Sequence, residues 1–361
     1  MTPRFSGRLA LQQRVLPNYR TPFFDMLAQA CDGGMSLFAG QPRPVEGITN
    51  GELRISKYAA AHNIHILGGP LYLCYQQGLI DWLAGWDPDA LIVEANPRYL
   101  ATPAAVRWMH ARGRKVIAWG LGGGNSLYAS QSRWQNFLRQ FDALIAYSQR
   151  GAKEYAALDF PPQKIFVAYN AAASRPASMP RRHATDSEKQ LTVLFIGRLQ
   201  SRKRVDSLLR ACAEIPQPGP RLVIVGDGPE RANLESLRRQ VYPSAEFIGA
   251  KHGDELKPYF AQADLFVLPG TGGLAVQEAM ANGLPVIVAK GDGTQDDLVR
   301  AGNGWQIEPE NYAALVEAMR AALSDPMRLR KMGKESYRIV SEEINLEKMV
   351  EVFIQGLNSL K

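Results

Sequence analysis

The chain is poor in cysteine, with three residues at positions 31, 74 and 212, widely spaced and odd in number. That excludes a disulfide framework and a cysteine-built zinc site, and it suits a reducing cytosol. Long apolar runs are also missing. The longest, such as Leu91-Ile92-Val93 and Leu265-Phe266-Val267-Leu268, are strand-sized, far short of the ~20 residues needed to span a bilayer. The first twenty residues hold no apolar core of a secretory signal. Among five histidines none pairs with a serine or cysteine in the manner of a hydrolytic triad, and no His, Cys and carboxylate cluster has metal-ligand spacing. Asp87-Pro88-Asp89 resembles a metal-binding Asp-x-Asp, but it stands just before a strand and reads as that strand's turn. Internal repeats and low-complexity tracts are absent. No helix carries a dense basic stripe interleaved with aromatics, so nucleic acid is not an expected partner.

What is present is ordinary globular material. Hydrophobic residues make up 46% of 361 and charged residues 21%, enough to bury a core in each of two domains. The net charge of +7 is unevenly placed: residues 1–180 carry 18 Lys+Arg against 11 Asp+Glu, and the remainder carries 24 of each. The basic half is either a solvated surface or one drawn to anionic lipid headgroups or to a phosphate-bearing acceptor.

Short apolar runs alternate with longer amphipathic ones, the pattern of parallel sheets wrapped by helices. In the first half, Ile64–Leu67, Ala90–Glu94, Lys115–Trp119 and Ala143–Tyr147 read as strands. Thr102–Arg112 reads as a helix with Pro103 in its first turn. Residues 171–190 contain Pro176, Pro180, Arg181 and Arg182 without periodicity and read as a linker. A second α/β unit follows: strand Leu191–Ile196 into Gly197, helix Val205–Ala213, strand Arg221–Val225 into Gly226-Asp227-Gly228-Pro229, helix Glu230–Val241, then strands Leu265–Leu268 and Pro285–Ala289. The tail, 344–360, spaces Ile344, Met349, Phe353 and Leu357 for a helix that packs one face against the body. Ligands in such folds bind outside the carboxyl ends of the strands, here in the cleft expected between the two domains.

Two constellations carry chemistry. Gly197-Arg198-Leu199 with Lys203 occupies a strand-to-helix loop, where a guanidinium and an ammonium suit a diphosphate whose charge grows as a bond to it breaks. Taken alone it equally reads as a solvated charged turn. Gly272-Gly273-Leu274 opens a helix whose free amides and dipole suit phosphate oxygens. Glu278, about one turn in, can accept two hydrogen bonds from a ribose diol, and Gly283 and Pro285 end that helix and start the next strand. In the first half, Gly120–Gly124 after a strand offers close backbone approach to a sugar or phosphate. Glu94 and Asn96 end another strand as acceptor contacts or as polar caps, and Arg20 reads as a phosphate contact or as surface.

In order and spacing, these features resemble glycosyltransferase family 4, retaining enzymes of the GT-B fold: Gly197-Arg198-Leu199 with Lys203; Val225-Gly226-Asp227-Gly228-Pro229-Glu230; Phe247-Ile248-Gly249; Ala263 to Pro269; Glu278-Ala279-Met280-Ala281 with Gly283 and Pro285; and Gly302 to Pro309. The likeness spans roughly residues 140 to 340. It implies an α/β GT-B architecture of two Rossmann-like domains facing across a cleft: an acceptor-side domain over 1–172, a linker over 173–190, a nucleotide-sugar-binding domain over 191–340, and a helix over 341–361 returning to the first domain. It implies a nucleotide-diphosphate-sugar donor and a saccharide or lipid-linked saccharide acceptor, in cell-surface polysaccharide or glycoconjugate synthesis. No cofactor and no metal are expected, and the protein would be cytoplasmic, peripheral on the inner face of the membrane. By that likeness Arg198 and Lys203 stabilise the leaving diphosphate and Glu278 holds the ribose. Gly197, Gly270, Gly272, Gly273 and Leu274 line the donor site, and Ile248, Gly249 and Lys251 lie near the base. Arg20, Glu94, Asn96, Gly122 and Gly123 are the acceptor-side candidates.

The chain also departs from the family. Gly270 stands where a glutamate usually faces the transferred sugar. Trp119-Gly120-Leu121-Gly122-Gly123-Gly124 replaces a stretch that often holds a histidine, and Leu16-Pro17-Asn18-Tyr19-Arg20 replaces a glycine loop. Gly270 and the absent histidine motivate one alternative, a non-catalytic nucleotide-sugar or glycan-binding relic; a second, a nucleotide-sugar epimerase, shares the same architecture.

Overall fold

The computed structural model describes residues 3–46, 48–123, 130–180 and 190–360. The chain divides into two compact units, 1–172 with 346–361 and 173–345. Each is a parallel sheet wrapped by helices.

The strands of the first unit are β1 (Leu9–Val15), β2 (Met35–Gly40), β3 (Lys57–Ala60), β4 (His62–Ile66), β5 (Leu73–Gln77), β6 (Ala90–Glu94), β7 (Lys115–Gly120), β8 (Ala143–Ala146) and β9 (Ile165–Val167). Seven form one sheet in the order β3-β2-β1-β6-β7-β8-β9, and β4 pairs with β5 alone. The second unit has β10 (Thr192–Ile196), β11 (Arg221–Val225), β12 (Glu246–Gly249), β13 (Leu265–Leu268), β14 (Val286–Ala289) and β15 (Gly304–Ile307), ordered β12-β11-β10-β13-β14-β15. Every pair within the two main sheets is parallel.

Sequence explains the layering. Ala143-Leu144-Ile145-Ala146, Leu265-Phe266-Val267-Leu268 and Val286-Ile287-Val288-Ala289 are buried at every position, as a sheet covered by helices on both faces requires. Helix starts are capped where the sequence supplies an oxygen: Ser148 accepts from the Gly151 amide, Asn311 from Ala314 and Asp325 from Arg328. The closing helix Leu346–Asn358 buries Met349, Phe353 and Leu357. It belongs to the first unit, where the Phe353 ring lies 4.9 Å from Phe23 and 5.0 Å from Trp119.

One strand read from the sequence pairs differently from the expectation. Ile64–Leu67 is not part of the parallel sheet: β4 stops at Ile66 and pairs antiparallel with β5 as a hairpin, with Ile64 opposite Tyr75. A buried apolar strand and an outward-facing one look alike in sequence, because only the fold decides which side of the pleat meets the core. The strand reading also lacks β1, β2, β3, β5, β9, β12 and β15; of these, Lys57-Tyr58-Ala59-Ala60 and Gly304-Trp305-Gln306-Ile307 contain few branched apolar residues. Of the linker, 181–189 lie outside the described residues.

Candidate functional site

In both sheets the strand order reverses beside the first strand, between β1 and β6 and between β10 and β13. A doubly wound sheet opens a crevice at that point, outside the carboxyl ends of the strands. The loops there are therefore the natural binding loops of each unit.

In the second unit these are the loops after β10 and β13, and they interlock. The Thr271 amide donates to the Arg202 carbonyl at 3.0 Å, the Lys203 ammonium donates to the Thr271 carbonyl at 2.5 Å, and Arg202 reaches the Thr271 hydroxyl at 3.2 Å. Glycine is required where they touch. A Cβ on Gly270 would lie 2.1 Å from the Arg202 carbonyl oxygen and 2.6 Å from the Lys203 Cα, and one on Gly272, at φ +144, would lie 2.3 Å from the Lys203 Nζ. Any side chain at 270 thus displaces backbone, which is the physical reason this chain has no glutamate there.

Arg198 is exposed and makes no hydrogen bond or ion pair with a described residue. Lys203 is half-buried, and burial, reinforced by nearby Arg202, pulls its ammonium down to about 8. The helix Leu274–Ala281 starts at Gly273 without a side-chain cap, so its first amides and the positive end of its dipole are available to an anion. Within that helix, burial raises the Glu278 carboxyl above the usual range, and the carboxyl has no partner among the described residues. Gly197, Arg198, Lys203, Gly270, Gly272, Gly273, Leu274 and Glu278 are thus brought to one crevice edge. Lys203 reaches the loop that opens this helix, and an uncapped helix start beside a cation suits an anion.

Gln295 was not legible in the sequence. It is 3% exposed, and its side-chain amide donates to the Gly272 carbonyl at 3.3 Å, a second tether on the loop beside that of Lys203 to the Thr271 carbonyl. Its Oε1 is buried without a partner. A glutamine in a short polar run carries no local signal of this role.

Ile248, Gly249 and Lys251 belong to the end of β12, two strands from β10, on the order of 10 Å along the sheet edge at the usual strand spacing. Gly249, at φ +88, receives the Gly226 amide on its carbonyl at 2.8 Å. The Lys251 ammonium is engaged by Glu255 at 3.0 Å, which raises its pKa.

The first unit's crevice is built differently. Glu94, at the end of β6, accepts from the Arg14 amide at 3.1 Å and is hydrogen-bonded by the Tyr99 side chain; burial pushes its carboxyl up to about 6. The Arg14 guanidinium pairs with Glu46 at 3.0 Å. Arg20 is not a surface residue: it is 5% exposed, donates to Asn170 Oδ1 at 2.6 Å, and lies 5.1 Å from the Trp119 ring and 5.4 Å from the Tyr147 ring. Asn96 accepts from the Arg98 amide at 3.1 Å and shapes the turn after β6. Gly122 and Gly123 have a packing reason: a Cβ there would lie 2.2 Å from Glu154 Oε2 and 2.5 Å from Leu158 Cδ1. Gly124 lies outside the described residues. Asp87 and Asp89 are occupied by Arg8, with Asp87 also held by Arg114 at 2.6 Å. No group of three or more potential metal ligands is found among the described residues.

Residues 180–339 match the family described as Glycosyl transferases group 1. A GDP-mannose-dependent alpha-mannosyltransferase of Mycobacterium tuberculosis is 33% identical over 294 residues, 73% of each chain. An uncharacterized glycosyltransferase of Methanocaldococcus jannaschii is 35% identical over 146 residues, 39% of this chain and 37% of that one. The matched part therefore spans little more than a third of one curated relative and about three quarters of the other. The crystal structure of Anabaena HepE in complex with UDP superposes with a TM-score of 0.72 at 16% identity, covering 98% of this chain and 99% of that one, so the fold is GT-B. The crevice loops of the second sheet, the matched motif block and the mycobacterial relative matched over 73% of each chain agree: the chain belongs to the glycosyl transferases group 1 family.

Proposed function

We propose that the protein is a retaining glycosyltransferase that moves a hexosyl group from a nucleotide-diphosphate sugar to a saccharide or lipid-linked saccharide acceptor, in polysaccharide or glycoconjugate synthesis. The observation that carries this reading is the second unit's crevice. Its loops carry the cationic side chains Arg198 and Lys203, a helix start without a side-chain cap and, within that helix, a carboxyl with no partner among the described residues. Arg198 and Lys203 neutralise the diphosphate as it leaves, and the amides of Gly273 and Leu274 take its oxygens. Glu278 accepts from the ribose hydroxyls. Ile248, Gly249 and Lys251 lie on the base side. With the diphosphate held, its own oxygen can take the acceptor proton on the face that the leaving group vacates. That route needs no dedicated protein base and no metal. Glu94, Asn96, Arg20 and the Gly122-Gly123 turn form the acceptor side, and a basic first unit suits an anionic membrane surface and a peripheral cytoplasmic location.

The relatives support the donor class. The mycobacterial relative is named for GDP-mannose, and HepE was crystallised with UDP. The test is calorimetric titration with nucleoside diphosphates and their sugars, followed by product analysis. Binding with stereochemical retention in the product supports the reading. Binding without transfer or hydrolysis across a broad donor panel favours a second reading, a nucleotide-sugar-binding relic. What favours that alternative is Gly270, whose place has no room for the family glutamate.

A further inference from the structure

Three loops meet at the second unit's crevice. The loop after β13, residues 269–273, leaves a strand that lies between β10 and β14, and both neighbours tether it. Lys203, after β10, donates to the Thr271 carbonyl, and Gln295, after β14, donates to the Gly272 carbonyl at 3.3 Å. Two successive peptide oxygens are thereby tied to two different loops.

A carbonyl and the amide that follows it share one planar trans peptide and point in opposite directions. Fixing the Gly272 oxygen therefore fixes where the Gly273 N–H points. That amide has no acceptor among the described residues, and it stands at the uncapped start of the helix Leu274–Ala281. The peptide needs a pin. Glycine flanks it on both sides, with Gly272 at φ +144, and two glycines let a peptide turn over at little steric cost. Crowding does not lock it either: a Cβ on Gly273 would meet nothing nearer than Gln295 Nε2 at 3.9 Å and Thr294 Oγ1 at 4.0 Å.

Gln295 has the properties of that pin. It is 3% exposed and sits on the short helix Thr294–Leu298. Asp292 closes the turn before it, accepting from the Thr294 amide at 3.1 Å and the Thr294 hydroxyl at 2.7 Å. The Gln295 carbonyl accepts from the Val299 amide at 2.8 Å. The side chain has one workable orientation, since turning it over would set Oε1 against the Gly272 oxygen, two acceptors face to face. That orientation leaves Oε1 buried with no partner among the described residues, at a cost in stability. An apolar side chain of the same length would fill the space without that cost, so packing does not account for a glutamine here. The Lys203 tether differs in kind, because its flexible cation is also the group proposed to grip the diphosphate.

We infer that Gln295 is a positioning residue for the leaving diphosphate, holding the Gly272–Gly273 peptide so that the Gly273 amide faces the anion before it arrives. A donor aimed in advance needs no rearrangement as charge develops. The inference rests on the donor site proposed above and adds the residue that presets one of its backbone donors.

The test is calorimetric titration of inorganic pyrophosphate, UDP and GDP into the full chain and into Gln295→Met, which keeps the side chain's length and removes its donor. The variant should bind all three about tenfold more weakly, as for one weakened hydrogen bond to a charged group. Its melting temperature should hold or rise, because the unpartnered oxygen is removed as well. A glycine-selective nitrogen-15 spectrum supplies the signature, with the Gly273 signal assigned by its absence in Gly273→Ala. Pyrophosphate should move that signal in the wild type and leave it nearly unmoved in Gln295→Met. Gln295→Glu, of the same shape, serves should the methionine variant fail to fold: it should lose at least as much affinity when ionised and recover as its carboxyl takes a proton.

Equal affinity of variant and wild type overturns the inference and leaves the donor site standing. A fall in affinity together with melting temperature, with the Gly273 signal still moving, makes Gln295 a packing residue and overturns it too. A loss confined to UDP and GDP puts Gln295 on the nucleoside side, against the inference. Binding of neither pyrophosphate nor nucleotide by the wild type overturns the donor site itself, and the inference with it.

Discussion

The two units use one strand order and treat their crevices in opposite ways. In the first unit the charged groups at the switch point are spoken for: Glu94 by Arg14 and Tyr99, Arg14 by Glu46, Arg20 by Asn170 and two rings. In the second unit Arg198, the Glu278 carboxyl and the helix start at Gly273 have no protein partner among the described residues. A buried polar group left without a partner costs stability unless water or a ligand completes it, and the Glu278 carboxyl is partly buried. The contrast points to the second crevice as the one organised around a charged ligand. The first is a pre-formed polar wall, against which a neutral hydroxyl can bind without any charge being exposed.

Removing the free cation should break the comparison most severely. Arg198→Ala should lower turnover by a factor on the order of 100 or more, as for the loss of charge stabilisation in a dry site, with the melting temperature unchanged. Near-normal steady-state turnover would reject the donor site. Next comes the interlocked loop: Gly270→Ala forces a Cβ into the Arg202 carbonyl and should cost about 1–3 kcal/mol of stability, as overpacking does, measured by chemical denaturation, together with most of the nucleoside diphosphate affinity.

Lys203 sharpens the contrast through pH. Its folded pKa is lowered to about 8, below the unfolded value. The charged form that grips the diphosphate is complete below that pH and lost as pH rises through it. Titrated nucleoside diphosphate affinity should therefore fall by up to about tenfold per pH unit above 8, and Lys203→Arg should flatten the profile. The same group affects stability with the opposite slope. Between about 8 and the unfolded value the unfolded chain binds more protons, so the folded state gains stability as pH rises. Glu278→Gln should weaken nucleotide binding about tenfold, in line with the ~1.5–3 kcal/mol of a hydrogen bond to a charged group, and should leave binding of inorganic pyrophosphate unchanged. The smallest effect belongs to the first unit. Burial raises Glu94, so its ionised form is disfavoured on folding; Glu94→Gln should leave stability near neutral pH equal or slightly higher, and donor hydrolysis intact.

Legibility followed locality. The strand-to-helix loops after β10 and β13 could be read directly, because strand, glycine, cation and helix start are consecutive along the chain. The closing helix was readable from the spacing of Met349, Phe353 and Leu357. The hairpin was misassigned because alternation shows which residues share a face and says nothing about which face is covered. Gln295 and the Arg14, Glu46 and Tyr99 surroundings of Glu94 could not be read at all, since their partners are remote in sequence and polar side chains have no periodicity to betray them.

The sequence alone determined the two α/β units, the family and the residues that flank the second crevice, since each rests on short-range order of apolar runs, glycines and charges. Tertiary structure decided the rest. It showed that Gly270 is glycine because another loop's backbone fills its side-chain space, and that Arg20 is buried among rings. It showed that β4 and β5 turn their apolar side outward. Each of these depends on what lies next to a residue in space, and excluded volume and hydrogen-bond satisfaction between distant segments are set only when the chain is folded.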